Sequence, residues 1–406
     1  MRLNPPFLAA RPVAPMSVIT RVLDYQAELS SIRQDIHMHP EVAFEEVRTS
    51  DLVAQKLAEF GCEVHRGLAK TGVVGTLRRG NATRSIGLRA AMDALPIQER
   101  NTFGHASVNK NKMHACGHDG HTTMLLGAAR YLAETKNFNG TVHFIFQPAE
   151  EGLGGGRVMV EEGLFQKFPC DAVFAMHNVP GLPIGHMSVK PGTLLASADS
   201  WTMKIKAKGS HGAMPHQGND PFIIAAQIVL ALQTIASRNV DPLDSVVVSV
   251  GFIKGGDTFN VIPDEVSMGG TARALLPHVQ NMIEARLGEI ARGVALAHGA
   301  TVDYQYIRRY PPTINHPDET EFAAKVAEEI CGPGKVKRDI PPVMGGEDFS
   351  FMLQKVPGAM LWLGNGPGEG NCLLHNPHYD FNNEAIPVGV SFLARLTERF
   401  LEKEAA

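Results

Sequence analysis

The chain has 406 residues, of which 44% are hydrophobic and 20% are charged, and its formal net charge is −4. A chain of this length and composition buries more than one core, which predicts a globular protein of about two domains and excludes a disordered one. The slightly acidic balance provides no overall basic field, so we expect neither nucleic acid nor an anionic membrane as a partner.

The N-terminal residues and the cysteines bear on location. Residues 1–16 hold four prolines and no apolar core of a signal peptide, so we interpret them as a flexible tail with Met16 as an alternative start. No window approaches the roughly 20 uncharged apolar residues of a membrane span. The five cysteines are odd in number and lack paired spacing, which favours a reducing compartment. We therefore expect a cytoplasmic protein.

The first part of the chain, residues 17–193, alternates short apolar runs with helical periodicity. This pattern is typical of an α/β domain with a mostly parallel sheet and helices on both faces. The predicted buried strands are residues 73–77, 86–90, 142–146 and 172–176, and the predicted amphipathic helices are residues 49–60 and 121–133.

The pattern changes near residue 194. The predicted order is a strand at 200–207, a helix at 221–237, strands at 245–252 and 265–274, a helix at 279–298 and a strand at 301–307. That order matches a split βαβ, ferredoxin-like α+β unit with an antiparallel sheet. We therefore predict a separate domain inserted at 194–309. A helix at 317–330 and a strand at 359–363 then resume the α/β pattern, so 17–193 and 310–406 form one discontinuous catalytic domain.

Candidate ligands for a metal follow the predicted strands. Glu150 and Glu151 come after the strand at 142–146, and His177 comes after the strand at 172–176. Ligand sites in open α/β sheets form outside the carboxyl ends of the strands. Because Cys116 and His118 precede a helix, they can reach the same edge. A thiolate, imidazoles and carboxylates in one crevice suit a transition metal.

Each of these pieces also has a simpler explanation. A lone Cys-Gly-His is often a packed thiol beside a satisfied histidine, and paired glutamates often lie on a solvated helix face. Here the glutamates follow Pro148 and precede Gly152, which predicts a loop. The glycines at 154–156 lack the following Lys-Ser or Lys-Thr of a phosphate-binding loop.

Seven motifs in order make the pattern specific. They are Met-Asp-Ala-Leu-Pro at 92–96, His-Ala-Cys-Gly-His-Asp at 114–119, Phe-Gln-Pro-Ala-Glu-Glu at 146–151, Ser-His-Gly-Ala-Met-Pro-His at 210–216, Asn-Val-Ile-Pro at 260–263, Gly-Gly-Glu-Asp-Phe-Ser at 345–350 and Leu-His-Asn-Pro-His-Tyr-Asp-Phe-Asn at 374–382. From about residue 20 onward the chain resembles the M20 metallopeptidase family. It is most similar to the branch of hippurate hydrolases, N-acyl-amino-acid amidohydrolases and auxin-conjugate hydrolases.

The resemblance implies hydrolysis of the amide bond of an N-acyl amino acid or related small amide, with two divalent metal ions per subunit. The positions that match the branch's metal ligands are Cys116, His118, Glu151, His177 and His375. Glu150 matches the general base, which takes a proton from water and delivers it to the leaving amine. The thiolate favours Zn²⁺, but relatives also use Mn²⁺, Co²⁺ or Ni²⁺.

The resemblance also implies roles in the inserted domain. His211 and Asn260 match positions that reach the substrate, with His211 as an oxyanion-stabilising catalytic residue. Arg273 is a candidate for binding a substrate carboxylate, although a surface arginine on a strand explains it equally well. Such relatives often dimerise through this domain, and in some the lid histidine serves the partner's site, so we expect a homodimer or higher homo-oligomer.

The chain departs from the family pattern at one position. Relatives usually read Arg-Ala-Asp-Met-Asp-Ala-Leu-Pro, whereas this chain has Ala91 in place of the first aspartate and keeps Asp93 as the second. We expect Asp93 to support the metal ligands and Ala91 to alter metal affinity or activity.

Two other functions remain open on the sequence alone. A thiol hydrolase would use Cys116 as its nucleophile with a nearby histidine as base, and would keep its activity after metal removal. A non-catalytic binding protein would keep the scaffold without turnover, a possibility raised by Ala91 alone.

Overall fold

The structure is a computed structural model that describes residues 16–367 and 372–402. The predicted flexible tail, apart from Met16, lies outside the described residues.

The described helices are α1 (Thr20–Leu23), α2 (Gln26–Met38), α3 (Val47–Glu59), α4 (His118–Thr135), α5 (Gly155–Glu161), α6 (Leu164–Lys167), α7 (Pro221–Thr234), α8 (Pro277–Ala297), α9 (Pro317–Cys331), α10 (Ser350–Leu353) and α11 (Ile386–Phe400). The strands are β1 (Glu63–Leu68), β2 (Gly72–Arg79), β3 (Ser85–Ala91), β4 (Gly140–Gln147), β5 (Ala172–Val179), β6 (Met187–Ser188), β7 (Gly192–Leu195), β8 (Ala198–Lys206), β9 (Ser210–His211), β10 (Val246–Lys254), β11 (Val261–Ile262), β12 (Glu265–Ala274), β13 (Thr301–Tyr310), β14 (Thr313–Asn315), β15 (Val336–Lys337) and β16 (Gly358–Gly364).

The larger sheet has the strand order β1-β2-β4-β3-β5-β16-β6-β15 within the described residues. Its centre, β4-β3-β5-β16, is parallel, as predicted. β2 is buried as expected but runs antiparallel to β4. The reason is the short connection from β2 to β3, because a parallel return needs a crossover of about a dozen residues or more.

Helices cover both faces of this sheet. On one face, α2, α3, α4, α9 and α11 share an apolar cluster with alternate residues of β3, among them Ile86 and Leu88. On the other face, α5, α6 and α10 pack on β4, β5 and β16 through residues such as Ile145 and Met360. Strands buried on both faces read as continuous apolar runs, which is why they are visible in the sequence.

A second, antiparallel sheet has the order β10-β12-β8-β13, and α7 and α8 pack against it around their own apolar cluster. The chain order of these elements is β8-α7-β10-β12-α8-β13. Beyond them, β15 and β16 join the larger sheet. The domain boundaries at 193/194 and 309/310 stay a prediction.

The helix that spans Pro221–Asn239 ends in a π-helical turn. It corrects the expectation that no part of the chain approaches the length and apolar character of a membrane span. By length and composition alone it is long and apolar enough to cross a membrane, and 33% of its apolar stretch is buried. Its buried residues, such as Ile224, Ile228 and Leu232, pack in the cluster of the second sheet. Length and composition alone are weak evidence, because core helices pass the same test.

Candidate active site

The candidate site lies at the carboxyl edge of the parallel strands. The loop 148–154 leaves β4 and carries Glu150 and Glu151. His177 lies near the end of β5, and Cys116 and His118 lie at the start of α4, where Gly117 adopts a φ of 89°. A Cβ at Gly117 would meet the Asn178 amide oxygen at 2.3 Å, so only glycine fits between the two ligand candidates.

All five predicted metal ligands come together in overlapping groups of three. In each group the donor atoms lie within 4.8 Å of one another. The groups are Cys116, His118 and His177; Cys116, Glu151 and His375; and His118, Glu150 and Glu151. Two pairs of donor atoms lie close together: Cys116 Sγ is 3.4 Å from His177 Nε2, and His375 Nε2 is 3.2 Å from Glu151 Oε1.

Neighbouring groups orient these donors. The Nδ1–H of His118 donates to the Asp93 carbonyl at 2.8 Å, and the Nδ1–H of His177 donates to the Asn178 carbonyl at 2.8 Å. Both histidines therefore present Nε2 to the cluster, and Nε2 of His118 is buried without a hydrogen-bond partner. Asp93 also accepts the Glu151 N–H at 2.8 Å. Fixed tautomers and an unpartnered buried nitrogen fit divalent cations held by S, N and O donors.

Glu150 is buried among other acids. Burial, followed by the nearby Glu347 and Glu151, raises the pKa of Glu150 well above its ordinary value. Beside it, the buried Arg89 contacts Glu347 at 2.8 Å and Asp348 at 3.0 Å. A cation bound at the cluster would offset this negative charge and lower the pKa of Glu150.

The thiol of Cys116 lacks the surroundings of a nucleophile. Burial, and then Glu151 and Glu150, raise the pKa of Cys116 well above its ordinary value. Burial and the neighbouring His118 lower the pKa of His177 to about 4, so this histidine is a poor partner for a thiolate. Reactive cysteines lie in electropositive settings with a lowered pKa. The geometry therefore favours a metal-ligand thiol over the thiol-hydrolase alternative.

A cavity of about 660 Å³ opens beside the cluster. Its lining includes the side chains of four of the ligand candidates and Glu150, together with Arg273, Arg309 and an apolar set of Leu195, Val343, Met360, Trp362 and Leu374. Within the described part of the chain, the half-buried Arg273 has neither an ion pair nor a side-chain hydrogen bond. An unpaired guanidinium in such a cavity suits an anionic group of a ligand.

His211 and Asn260 lie elsewhere. Both are exposed, and neither lines this cavity. They are close to each other, because β9 pairs with β11 and the Gly212 N–H donates to the Asn260 carbonyl at 2.8 Å. Within one chain the structure therefore does not bring these two predicted residues to the metal-ligand candidates.

Ala91 is the buried last residue of β3, and its carbonyl accepts the Thr122 hydroxyl at 3.0 Å. In the alternation of the strand it shares a face with Arg89 and is paired with Gln147. A carboxylate at this position would thus lie beside the buried acids of the site.

Sequence reasoning missed several residues at the site. Glu347 and Asp348 lie in a motif that was recognised but given no role, whereas Arg89 was not singled out. Trp362 lies in none of the seven motifs, yet it lines the cavity with its ring 6.0 Å from that of His177. Tyr310 and Arg309 belong to none of the seven motifs, and only the fold brings them to the site. The ring of His121 lies 4.5 Å from that of His177, and its Nε2 lies 2.7 Å from the Asn178 amide oxygen.

Comparisons with known proteins agree with this geometry. The chain is 43% identical to a hippurate hydrolase of Campylobacter jejuni over 387 residues, which cover 95% of this chain and 100% of that one. It is 40% identical to the IAA-amino acid hydrolase ILR1-like 5 of Arabidopsis thaliana, over 93% of this chain and 88% of that one. The crystal structure of Bacillus subtilis YxeP, a dinuclear metal-binding peptidase from the M20 family, superposes with a TM-score of 0.82 at 33% identity, covering 94% of this chain and 99% of that one.

The sequence model of peptidase family M20/M25/M40 matches residues 87–399. This range includes all five ligand candidates and Glu150. With this match and these identities over nearly the whole chain, the chain belongs to peptidase family M20/M25/M40.

Proposed function

We propose that this protein is a metal-dependent amidohydrolase that cleaves the amide bond of N-acyl amino acids, with two divalent metal ions per subunit. The observation that carries the proposal is the convergence of Cys116, His118, Glu151, His177 and His375 in groups that share donor atoms within 4.8 Å. The hippurate hydrolase and the IAA-amino acid hydrolase among its relatives act, by name, on substrates of this class.

The five ligands would hold two ions of Zn²⁺, Mn²⁺, Co²⁺ or Ni²⁺. When bound, divalent ions polarise the scissile carbonyl and lower the pKa of water. Glu150 acts as general base and acid, since it adjoins the ligand Glu151 but is free to carry a proton. It takes the proton of the attacking water and gives it to the leaving amine nitrogen. Asp93 holds His118 and the Glu151 backbone in place.

Arg273 binds the carboxylate of the amino-acid half of the substrate. Its guanidinium is half-buried in the cavity and has no partner among the described residues. The apolar lining, which includes Trp362, Met360 and Leu374, suits an apolar or aromatic acyl group.

We further infer a homodimer formed through the second sheet. β10 is an edge strand that carries the exposed Phe252 and Ile253, and α7 beside it exposes Ile223 and Leu230. Exposed apolar side chains along an open sheet edge are typical of an interface. In the dimer, His211 and Asn260 complete the site of the partner subunit, which accounts for their exposure in one chain.

A panel of substrates tests this function. Metal-reconstituted protein is expected to hydrolyse N-benzoylglycine, an indole-acyl amino acid or an N-acetyl amino acid, and to prefer the free acid over its methyl ester. Arg273→Gln is expected to raise KM for the free acid about 10-fold or more while hardly changing that for the ester, because only the acid offers a charged partner. If no N-acyl amino acid is turned over with any of the four metals, the proposed function is wrong.

A further inference from the structure

The connections into and out of the second sheet run side by side. β8 begins at Ala198 and β13 ends at Tyr310, and these two residues are paired across the strands. The neighbouring strands β7 and β14 also pair with each other. Tyr310 therefore lies where the chain returns from the second sheet to the larger one.

The side chain of Tyr310 points into the loop that carries the two glutamates. It is 6% exposed, and its ring lies edge-on to Phe351. Its hydroxyl donates to the Glu150 carbonyl and accepts the Gly154 N–H at 3.2 Å. Because burial raises the pKa of Tyr310, the hydroxyl keeps the proton that it donates. The Glu150 carbonyl also accepts the Gly152 N–H at 2.8 Å, so this one oxygen organises the turn.

The preceding residue on β13 holds the same loop. Arg309 Nη1 donates to the Gly152 carbonyl at 3.2 Å, and its Nε donates to the Ser200 hydroxyl of β8 at 3.2 Å. Two successive residues at the end of β13 therefore contact the loop, at the peptide groups of Glu150, Gly152 and Gly154.

The opposite side of the loop is held by carboxylates of the larger domain. Glu46 accepts the Ala149 N–H at 2.9 Å, and Asp93 accepts the Glu151 N–H at 2.8 Å. Ala149 itself has a φ of 53°, in the left-handed region that non-glycine residues seldom adopt. The loop thus keeps its shape by two sets of contacts. One set comes from the larger domain, and the other comes from the end of β13.

We propose that Tyr310 is a positioning residue whose hydroxyl fixes the loop 150–154 and ties the place of Glu150 to the strand that leaves the second sheet. The kinetic part of this inference rests on the proposed function, in which Glu150 must lie within hydrogen-bonding reach of the attacking water. A displacement of about 1 Å at such a group lowers a rate by up to about 10²-fold.

Tyr310→Phe removes the hydroxyl and keeps the ring. Tyr304→Phe is the matched control, because Tyr304 lies on the same strand and donates to a backbone carbonyl, that of Glu284, at 2.8 Å away from the loop. For Tyr310→Phe we expect kcat to fall about 10- to 100-fold with KM within about threefold, and metal content to match wild type. Tyr304→Phe is expected to keep the wild-type kcat.

Amide hydrogen exchange provides a readout that does not depend on turnover. Gly154 loses its acceptor directly in Tyr310→Phe, so the informative amides are those of Glu151 and Gly152. We expect both to exchange at least about 10-fold faster than in wild type and in Tyr304→Phe. Unchanged exchange at these two amides overturns the inference, whatever the activity. If wild type itself hydrolyses no N-acyl amino acid, the proposed function fails while the exchange data still decide the role of Tyr310.

Discussion

Glu150 and Glu151 are adjacent in the sequence but have different surroundings. Glu151 lies 3.2 Å from His375 and shares donor groups with Cys116, whereas Glu150 is buried beside Glu347. We therefore propose that Glu151 binds a cation and that Glu150, although it also lies in a donor group with His118, carries the proton.

Replacing Glu150 by Gln separates these roles. The amide keeps the size of the side chain but cannot accept the proton, so we predict a fall in kcat of about 10² to 10⁴ with unchanged folding and metal content. Glu151→Gln is the matched control, in which metal content itself is expected to fall. Elemental analysis beside steady-state kinetics distinguishes the two variants, and near-normal turnover of Glu150→Gln would contradict its role.

A second prediction at the scale of one residue concerns the effect of Ala91→Asp on stability and metal binding. Ala91→Asp adds a carboxylate on the face of β3 that holds Arg89, whose guanidinium already contacts Glu347 and Asp348. Without metal the new charge has no free partner, so we expect a lower melting temperature of the metal-free protein. With metal we expect tighter binding, by about 10-fold or more.

Metal affinity, turnover and melting temperature of this variant are measured together, with and without metal. A lower melting temperature in both states, at unchanged affinity and rate, would show that Ala91 does not mark a weakened metal site.

Glu151 and His177 could be predicted as ligand candidates because they follow buried strands, and Cys116 and His118 because they precede a helix at the same edge of the sheet. His375 could be predicted only from the resemblance to the family. Arg89, Arg309 and Tyr310 could not, because each reaches the site from a distant position with no spacing that marks it. Their roles depend on which strands become neighbours, and that information is not local.

At the scale of elements, α2 is attached to α4 by a buried charged network. His37 of α2 lies 2.8 Å from Asp119 of α4 and 3.2 Å from Glu99. No motif or spacing in the sequence marks His37 for this contact. Burial lowers the pKa of His37, but the hydrogen bonds to Asp119 and Glu99 outweigh it and raise the pKa to about 9.

A raised pKa in the folded state makes stability depend on pH. The contribution of His37 is fully present below its unfolded pKa of about 6.5 and is lost as pH rises through about 9, with a size of roughly 3 kcal/mol. We predict that the free energy of unfolding of the metal-free protein falls over this range, and that His37→Gln gives a flatter profile.

His39→Gln is the control for this measurement, because His39 is half-buried and contacts Asp35 outside the network. Parallel profiles for wild type and His37→Gln between pH 6 and pH 10 would refute the assignment.

Long elements follow their sequence pattern, and short ones do not. The strand predicted at 265–274 has the observed bounds of β12, and the helix predicted at 317–330 differs from α9 by one residue. The two-residue strands β6, β9, β11 and β15 carry no periodicity. β9 and β11 pair with each other, and β15 pairs with β6, which lies beside the longer β16. Strand direction is also invisible in an apolar run, as the antiparallel β2 illustrates.

At the scale of the whole molecule, His211 lies on β9, which pairs with β11 outside the second sheet, and it does not line the cavity of its own chain. No pattern in the sequence distinguishes a residue that serves its own site from one that serves a partner. The resemblance to the family raises the question, and in the structure both His211 and Asn260 are exposed.

Mixing two inactive variants tests a shared site. If His211 serves the partner's site, a dimer of His211→Ala with Glu150→Gln contains one complete site. Half of the dimers are mixed and each has one of two sites intact, so we predict recovery of about a quarter of the wild-type activity after subunit exchange. Each variant alone should stay nearly inactive. A dimer by light scattering with no recovery would show that His211 does not act across the interface.

Metal titration of the chelated protein tests metal-dependent amide hydrolysis most directly. N-benzoylglycine hydrolysis is followed while Zn²⁺, Mn²⁺, Co²⁺ or Ni²⁺ is added back and bound metal is counted. We predict no turnover without metal, and activity that rises with bound metal to a plateau at about two ions per chain. Activity that persists in the chelated protein and is abolished by alkylation of Cys116 would contradict a metal-dependent hydrolase and point to the thiol as nucleophile.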